Sequence, residues 1–230
     1  MTDITICLTS CGRFDLLERT IKSLVEFWDG PKPERLLIYE DSKDFSFVQM
    51  KSVQDLIQDL AKGFDCERQV FFGKVGQIKA IDHLYNLVET PYIFHCEDDW
   101  QFTRTGFIQQ SLNILEEFPK ISEVWLRNKN ERNGHPLENR LFLTKTGTRF
   151  QYLRTKYKGI WFGTSFGATL RRKADYDLIA PYAQYLKTDS LQCEAEVGKA
   201  YYYKGFRQVT LLDGYVKHIG QKQALPKSLN

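Results

Sequence analysis

The first hundred residues alternate between two kinds of segment, and this alternation limits the fold more than any other feature. Short apolar runs rich in β-branched and aromatic residues fall at 4–8, 35–39, 70–72 and 92–96. Between them lie stretches with helical spacing. In 14–27 the apolar positions Leu16, Leu17, Ile21, Leu24 and Val25 recur every three or four residues, and 48–62 and 78–88 read the same way. Gly30-Pro31-Lys32-Pro33 ends the first helix, and Gly73 and Gly76 open the third. A β-α-β-α-β-α-β order implies a mostly parallel sheet covered by helices. Such sheets bind ligands at the carboxyl ends of their strands. The polar clusters Thr9-Ser10, Glu40-Asp41-Ser42 and Glu97-Asp98-Asp99 fall at those ends.

The second half is less regular. A helix is expected over 107–118, a strand over 123–126, a helix over 189–204 and a strand over 209–212. The stretch 128–139, with Asn133-Gly134, reads as a polar loop, and the tail from Gln221 as a loose segment or lid. A length of 230 residues suits one α/β domain, with 1–102 as its first half, 103–220 as its second and 221–230 as a flexible tail. With 42% hydrophobic and 14% aromatic residues there is material for a core.

A net charge of +3 is too small to argue for nucleic acid. The basic groups at 127–132 and 171–173 read as solvated loops. The five cysteines have irregular spacing and no CxxC pair, which disfavours a zinc ribbon or disulfide framework and points to reduced thiols. No signal segment or ~20-residue apolar span is seen, so a cytoplasmic protein is expected, with peripheral membrane contact left open.

Three consecutive acids after a buried strand need a neutralising partner. Mg²⁺ or Mn²⁺ is the natural one, since both prefer oxygen ligands and share them with substrate phosphates. These segments together resemble the GT-A glycosyltransferases, most closely those of family 2. Residues 4–24 are similar to that family's first strand, turn and helix. Glu40-Asp41-Ser42 resembles its strand-two acidic turn, and Gly76-Gln77-Ile78-Lys79-Ala80 its glycine-led helix start. Glu97-Asp98-Asp99 resembles the DXD motif, with Glu97 in place of the first Asp.

The resemblance implies a GT-A, Rossmann-like α/β fold and a metal-dependent transfer from a nucleotide-sugar, with UDP preferred, 1–102 forming the nucleotide-sugar-binding half and 103–220 the acceptor-side half. Asp99 would bind the metal. Glu97 or Asp98 would lie near the ribose or donor sugar. Thr9, Ser10, Asp41 and Gln77 would line the nucleotide-sugar site, and Arg13 and Lys79 would approach the nucleotide or its phosphates. A late histidine often completes the metal shell in this family, and His218, in Lys217-His218-Ile219-Gly220, holds that place. His83, His95 and His135 have no such support, and His95, inside a strand, reads as structural.

Counting back from Gly205-Phe206, Glu194 matches the family's catalytic base, with Glu196 as the second candidate and Cys193 where an acid is usual. An inverting transfer needs such a carboxylate beside the acceptor hydroxyl. Residues 161–170 resemble the family's acceptor-side segment, and Trp100 and Trp161 are candidates to stack on donor or acceptor sugar. The acceptor stays open between a glycan, a lipid-linked species and a protein. The rival readings are a non-catalytic nucleotide- or sugar-binding module on the same fold, and a nucleotidyltransferase. The second is disfavoured because no Gly-rich triphosphate loop follows the first strand.

Overall fold

The computed structural model describes residues 3–42, 45–128, 131 and 134–220. The expected alternation is present. β1 (Ile4–Ser10), β2 (Arg35–Glu40), β3 (Glu67–Phe72) and β4 (Tyr92–Glu97) are joined by α1 (Phe14–Phe27), α2 (Phe47–Leu60) and α3 (Gln77–Asn86). These strands pair in parallel in the order β3-β2-β1-β4.

The second half contributes β5 (Trp100–Phe102), α4 (Phe107–Glu117), β6 (Ile121–Trp125), β7 (Phe142–Leu143), β8 (Arg149–Tyr152), β9 (Thr169–Arg172), α5 (Lys173–Asp177), α6 (Ser190–Tyr203), β10 (Arg207–Leu211) and β11 (Val216–His218). The sheet continues from β4 as β9-β6-β10-β8-β7. β9 is antiparallel to both β4 and β6, and β8 to both β10 and β7. β5 and β11 form a separate antiparallel ribbon.

The period-2 alternation of the strands divides the core into two layers. Ile4, Ile6 and Leu8 of β1 pack with Leu17, Ile21 and Leu24 of α1, Val53 and Ile57 of α2, and Phe107, Ile108 and Leu112 of α4. Cys7, on the opposite face, packs with Ile78, Ile81 and Leu84 of α3 and Cys193, Val197 and Tyr201 of α6. The result is a helix–sheet–helix sandwich. α2 begins with a full capping box, in which the Ser46 hydroxyl accepts from the Gln49 N–H and the Gln49 side chain receives the Ser46 N–H. Asp82 of α3 accepts from the Tyr182 and Ala183 N–H groups and from the Tyr176 hydroxyl, each at 2.8 Å, fastening α3 to the turn before α6.

Two sequence expectations are corrected here. Residues 171–173 are not a solvated loop. Arg171 lies in β9 and is fully buried, with Nη2 donating to Ser165 O at 2.9 Å and to Thr169 Oγ1 at 2.6 Å, and 3.3 Å from Glu123 Oε2. Arg172 donates to the carbonyls of Leu115, Pro119 and Ile121, tying β9 to the end of α4. A run of basic residues reads as surface because burial normally excludes charge. Here each finds acceptors, which is the condition under which a buried charge persists. β5, β7, β8, β9 and β11 were also not anticipated, since strands of two to four residues are too short for their alternation to register. The expectation for the tail from Gln221 falls outside the described residues.

An Arg171→Met protein leaves Glu123 as an uncompensated buried carboxylate. Its stability should fall by about 3–5 kcal/mol, measured as the shift in urea unfolding midpoint.

Candidate active site

The carboxyl ends of β1, β2 and β4 meet on one side of the sheet, and each polar cluster there is engaged with a neighbour. The Glu40 Oε1 accepts from the Gly12 N–H at 2.7 Å and shapes the β1–α1 turn, where Gly12 takes a φ of 71°. The Asp41 Oδ1 accepts from Val75 and Gly76 at 2.6 and 3.0 Å and fixes the approach to α3. Glu40 and Asp41 therefore each clamp a loop at this edge of the sheet.

The turn after β4 carries the densest charge. Asp98 is buried, and its Oδ2 accepts from the Cys11 N–H at 3.2 Å, from the Ser10 hydroxyl at 3.4 Å and from Arg13 Nε at 3.2 Å. Arg13 Nη2 pairs with the other oxygen. The Thr20 hydroxyl donates to the Asp98 carbonyl at 2.7 Å, pinning the turn to α1. Burial pushes the Asp98 carboxyl up to about 6, against the pull of Arg13.

Asp99 faces a different set. Its Oδ2 lies 2.9 Å from Arg13 Nη1 and 3.2 Å from His218 Nε2, and its Oδ1 is buried with no hydrogen-bond partner. Burial opposes ionisation, but the His218 bond and the Arg13 charge outweigh it and hold Asp99 below the ordinary carboxylate range. The same bond raises His218. His218 reaches Asp99 because β11 pairs with β5 in the register His218 opposite Trp100. Gly220 then passes so close to Asp99 that no side chain fits: a Cβ there would overlap Oδ2 and lie 2.9 Å from both Cβ and Cγ of Asp99.

Glu97 turns the other way. It accepts from Gln77 Nε2 at 2.7 Å and from Trp100 Nε1 at 3.1 Å. Burial first, and the Asp99 charge second, raise its carboxyl. Glu194 of α6 accepts from the Phe166 N–H at 2.5 Å. Burial lifts it to about 8, with Glu97 and Glu123 adding repulsion and Arg127 attraction.

Of the residues singled out in the sequence, Ser10, Arg13, Gln77, Glu97, Asp98, Asp99, Trp100 and His218 form one connected cluster, with Glu194 in electrostatic reach of Glu97. Thr9 is buried in β1, directly opposite Glu97 in the sheet register. Lys79 lies exposed on α3 and makes none of the described bonds to the cluster. Trp161 is half-buried in a turn where it exchanges backbone bonds with Tyr157, both at 2.9 Å, and its described contacts do not include the cluster. Glu196, on α6, lies 3.9 Å from Lys199.

Arg127 is the residue the sequence reading missed. Read as part of a solvated loop, it instead sits between the rings of Trp100 and Trp125, at 4.7 and 5.0 Å, with Nη2 donating to Ser165 Oγ at 2.7 Å. Its place immediately beyond β6, at a strand's carboxyl end, was the available signal. Gly167 makes room for it, since a Cβ there would lie 2.6 Å from Arg127 Nη2.

Among the described residues no three His, Cys, Asp or Glu side chains converge on a metal position. Asp99 and His218 nevertheless place an imidazole nitrogen beside a carboxylate that retains one unpartnered oxygen. They fit a divalent cation that completes its shell with oxygens from a ligand.

No family model matches the sequence, and no curated protein matches it. Solved structures do. S. aureus TarS superposes with a TM-score of 0.61 at 14% identity, covering 93% of this chain and 36% of that one. TarS 1–349 in complex with UDP gives 0.56 at 12% identity, covering 93% and 59%. GalNAc-T7 with UDP, GalNAc and Mn²⁺ gives 0.65 at 11% identity, covering 98% and 45%. The fold is the GT-A glycosyltransferase fold, and the likeness does not single out family 2. The chain spans less than two thirds of the length of each of these structures.

Gly220→Ala must push Asp99 away from His218. Thermal unfolding should show a loss of about 1–3 kcal/mol, the range for overpacking, with the far-ultraviolet circular dichroism unchanged.

Proposed function

We propose that the protein is a glycosyltransferase that moves a sugar from a nucleoside diphosphate, UDP by preference, to a hydroxyl acceptor. The observation that carries this reading is the pairing of Asp99 with His218 at the carboxyl ends of the strands, with Glu194 in electrostatic reach of the neighbouring Glu97. The UDP and Mn²⁺ named for structures of the same fold support the choice of donor and cation.

Asp99 and His218 would hold Mn²⁺ or Mg²⁺, which when bound offsets the charge of a departing diphosphate. Arg13, at the edge of the same pair, supplies a guanidinium to the phosphates. Thr9, Ser10 and Asp41 border the nucleotide site. Asp98 and the Gln77–Glu97–Trp100 chain present fixed donors and acceptors to the ribose and donor sugar. Transfer is by inversion: the acceptor oxygen bonds to the anomeric carbon as the bond from that carbon to the phosphate oxygen breaks. The acceptor proton passes to Glu194.

A base must be ionised to accept a proton. With the Glu194 carboxyl lifted to about 8, turnover should rise with pH up to that region and then level off. Arg127, which lowers both Glu97 and Glu194, keeps these carboxylates ionisable. The acceptor, whether glycan, lipid-linked or protein, would approach from the Glu194 side. Trp161 and Lys79 belong to this scheme only as outer contacts to acceptor and nucleotide. The five free cysteines suit a reducing, cytoplasmic setting, and no described helix is long and apolar enough to cross a membrane.

Two experiments test the proposal. Calorimetric titration with UDP, GDP and dTDP, with and without Mn²⁺, should show one nucleotide binding tightly only with metal, and Asp99→Ala should abolish that binding. Absence of nucleotide binding under every condition would leave the GT-A fold without a donor site. Once a donor is identified, Glu194→Gln should bind it normally yet lose turnover by about 10²–10⁴-fold. A Glu194→Gln protein with ordinary turnover removes Glu194 from the role, and Glu196 becomes the residue to replace.

A further inference from the structure

Arg13 already occupies the carboxylate pair on which a divalent cation would sit. Nε and Nη2 grip the two oxygens of Asp98, while Nη1 lies 2.9 Å from Asp99 Oδ2. That same Asp99 oxygen faces His218 Nε2 at 3.2 Å. The guanidinium is itself largely shielded, with its side chain 16% exposed. Its backbone is fixed, because the Arg13 carbonyl accepts from the Leu16 and Leu17 N–H groups at 3.0 and 2.9 Å. Only the side chain is free to exchange partners, and its grip on Asp98 limits how far it can go.

We infer that Arg13 acts as a resident counter-ion that makes entry of the divalent cation conditional on a diphosphate. This rests on the reading of Asp99 and His218 as the cation's ligands. A dication held between Asp99 and His218 Nε2, which faces Oδ2 and not the unpartnered Oδ1, would compete with Nη1 for Oδ2 and set a second positive charge beside the shielded guanidinium. A diphosphate removes both difficulties. Its oxygens complete the metal shell, and one of them accepts from the displaced Nη1 while Nε and Nη2 stay on Asp98. Arg13 thus couples the two binding events, and the coupling is reciprocal: the nucleotide must gain from the metal as much as the metal gains from the nucleotide. The chemical class being read is the diphosphate, not the base.

The test uses the whole protein and needs no activity. Free Mn²⁺ is followed by electron paramagnetic resonance, and Mn²⁺ affinity is measured alone, with UDP and with uridine, for the unsubstituted protein, Arg13→Met and Arg13→Lys. In the unsubstituted protein Mn²⁺ alone should bind weakly, and UDP should tighten it by about 10-fold or more, within the ordinary range for coupled sites. Uridine should have no effect. Arg13→Met should bind Mn²⁺ alone about 10-fold more tightly and lose most of the UDP gain. Arg13→Lys has a single ammonium that cannot grip Asp98 and reach Asp99 together. It should fall between the two, and it carries the test if Arg13→Met does not fold.

If both variants bind Mn²⁺ alone no better than the unsubstituted protein, while UDP and Mn²⁺ still bind together, the counter-ion role is refuted and the donor site stands. If no protein binds Mn²⁺ with or without UDP, the glycosyltransferase reading falls and the inference falls with it.

Discussion

The structure is organised around the problem of keeping carboxylates at the end of a buried strand. Asp98 and Asp99 follow β4 into a region from which water is largely excluded, and an uncompensated charge there would not survive. The surrounding elements supply the compensation. The turn after β1 offers the Cys11 N–H and the Ser10 hydroxyl, α1 offers Thr20 and begins directly after Arg13, and the β5–β11 ribbon returns His218 to the same spot. Even the close passage of Gly220 follows from this, since the ribbon must come within contact distance of Asp99 to deliver the imidazole.

Around this centre one cleft holds acids in opposite states. Asp99, beside Arg13 and His218, is held in its charged form. Glu194, desolvated by burial and accepting from the Phe166 N–H, is pushed toward its neutral form. Splitting similar groups by environment is the usual way a single pocket obtains both an electrostatic anchor and a proton acceptor. Arg127 mediates between them. Fixed by two indole rings and the Ser165 hydroxyl, it places a positive charge near Glu97 and Glu194 without forming a close ion pair with either.

The first hundred residues were legible because their signals are long and local. The apolar spacing of α1 and the β-branched runs of β1 and β2 repeat enough times to be recognised, and their polar ends coincide at one sheet edge. His218 was legible only through its resemblance to a family pattern, because the register that carries it to Asp99 belongs to a three-residue strand. The arginines were not legible. Residue type and spacing do not distinguish Arg171 from a solvated surface residue, and Arg127 is marked only by its place just beyond β6; what holds them is a set of acceptors elsewhere in the chain, at Glu123, Ser165 and Tyr182. Residue type and spacing report short-range preferences, whereas charge satisfaction inside a core is decided by distant partners.

The placement of β9 has a consequence for how the chain reaches this state. β9 is made of residues 169–172, yet it lies between β4 and β6, whose residues precede it by more than forty positions. During synthesis β4 and β6 must wait as unpaired edges while the intervening chain is produced. Such late, non-local closure slows folding and leaves strand edges open to association with other chains. The buried Arg171 tempers that hazard, because a strand carrying a charge that only Glu123 and its neighbours can satisfy has little to gain from pairing anywhere else.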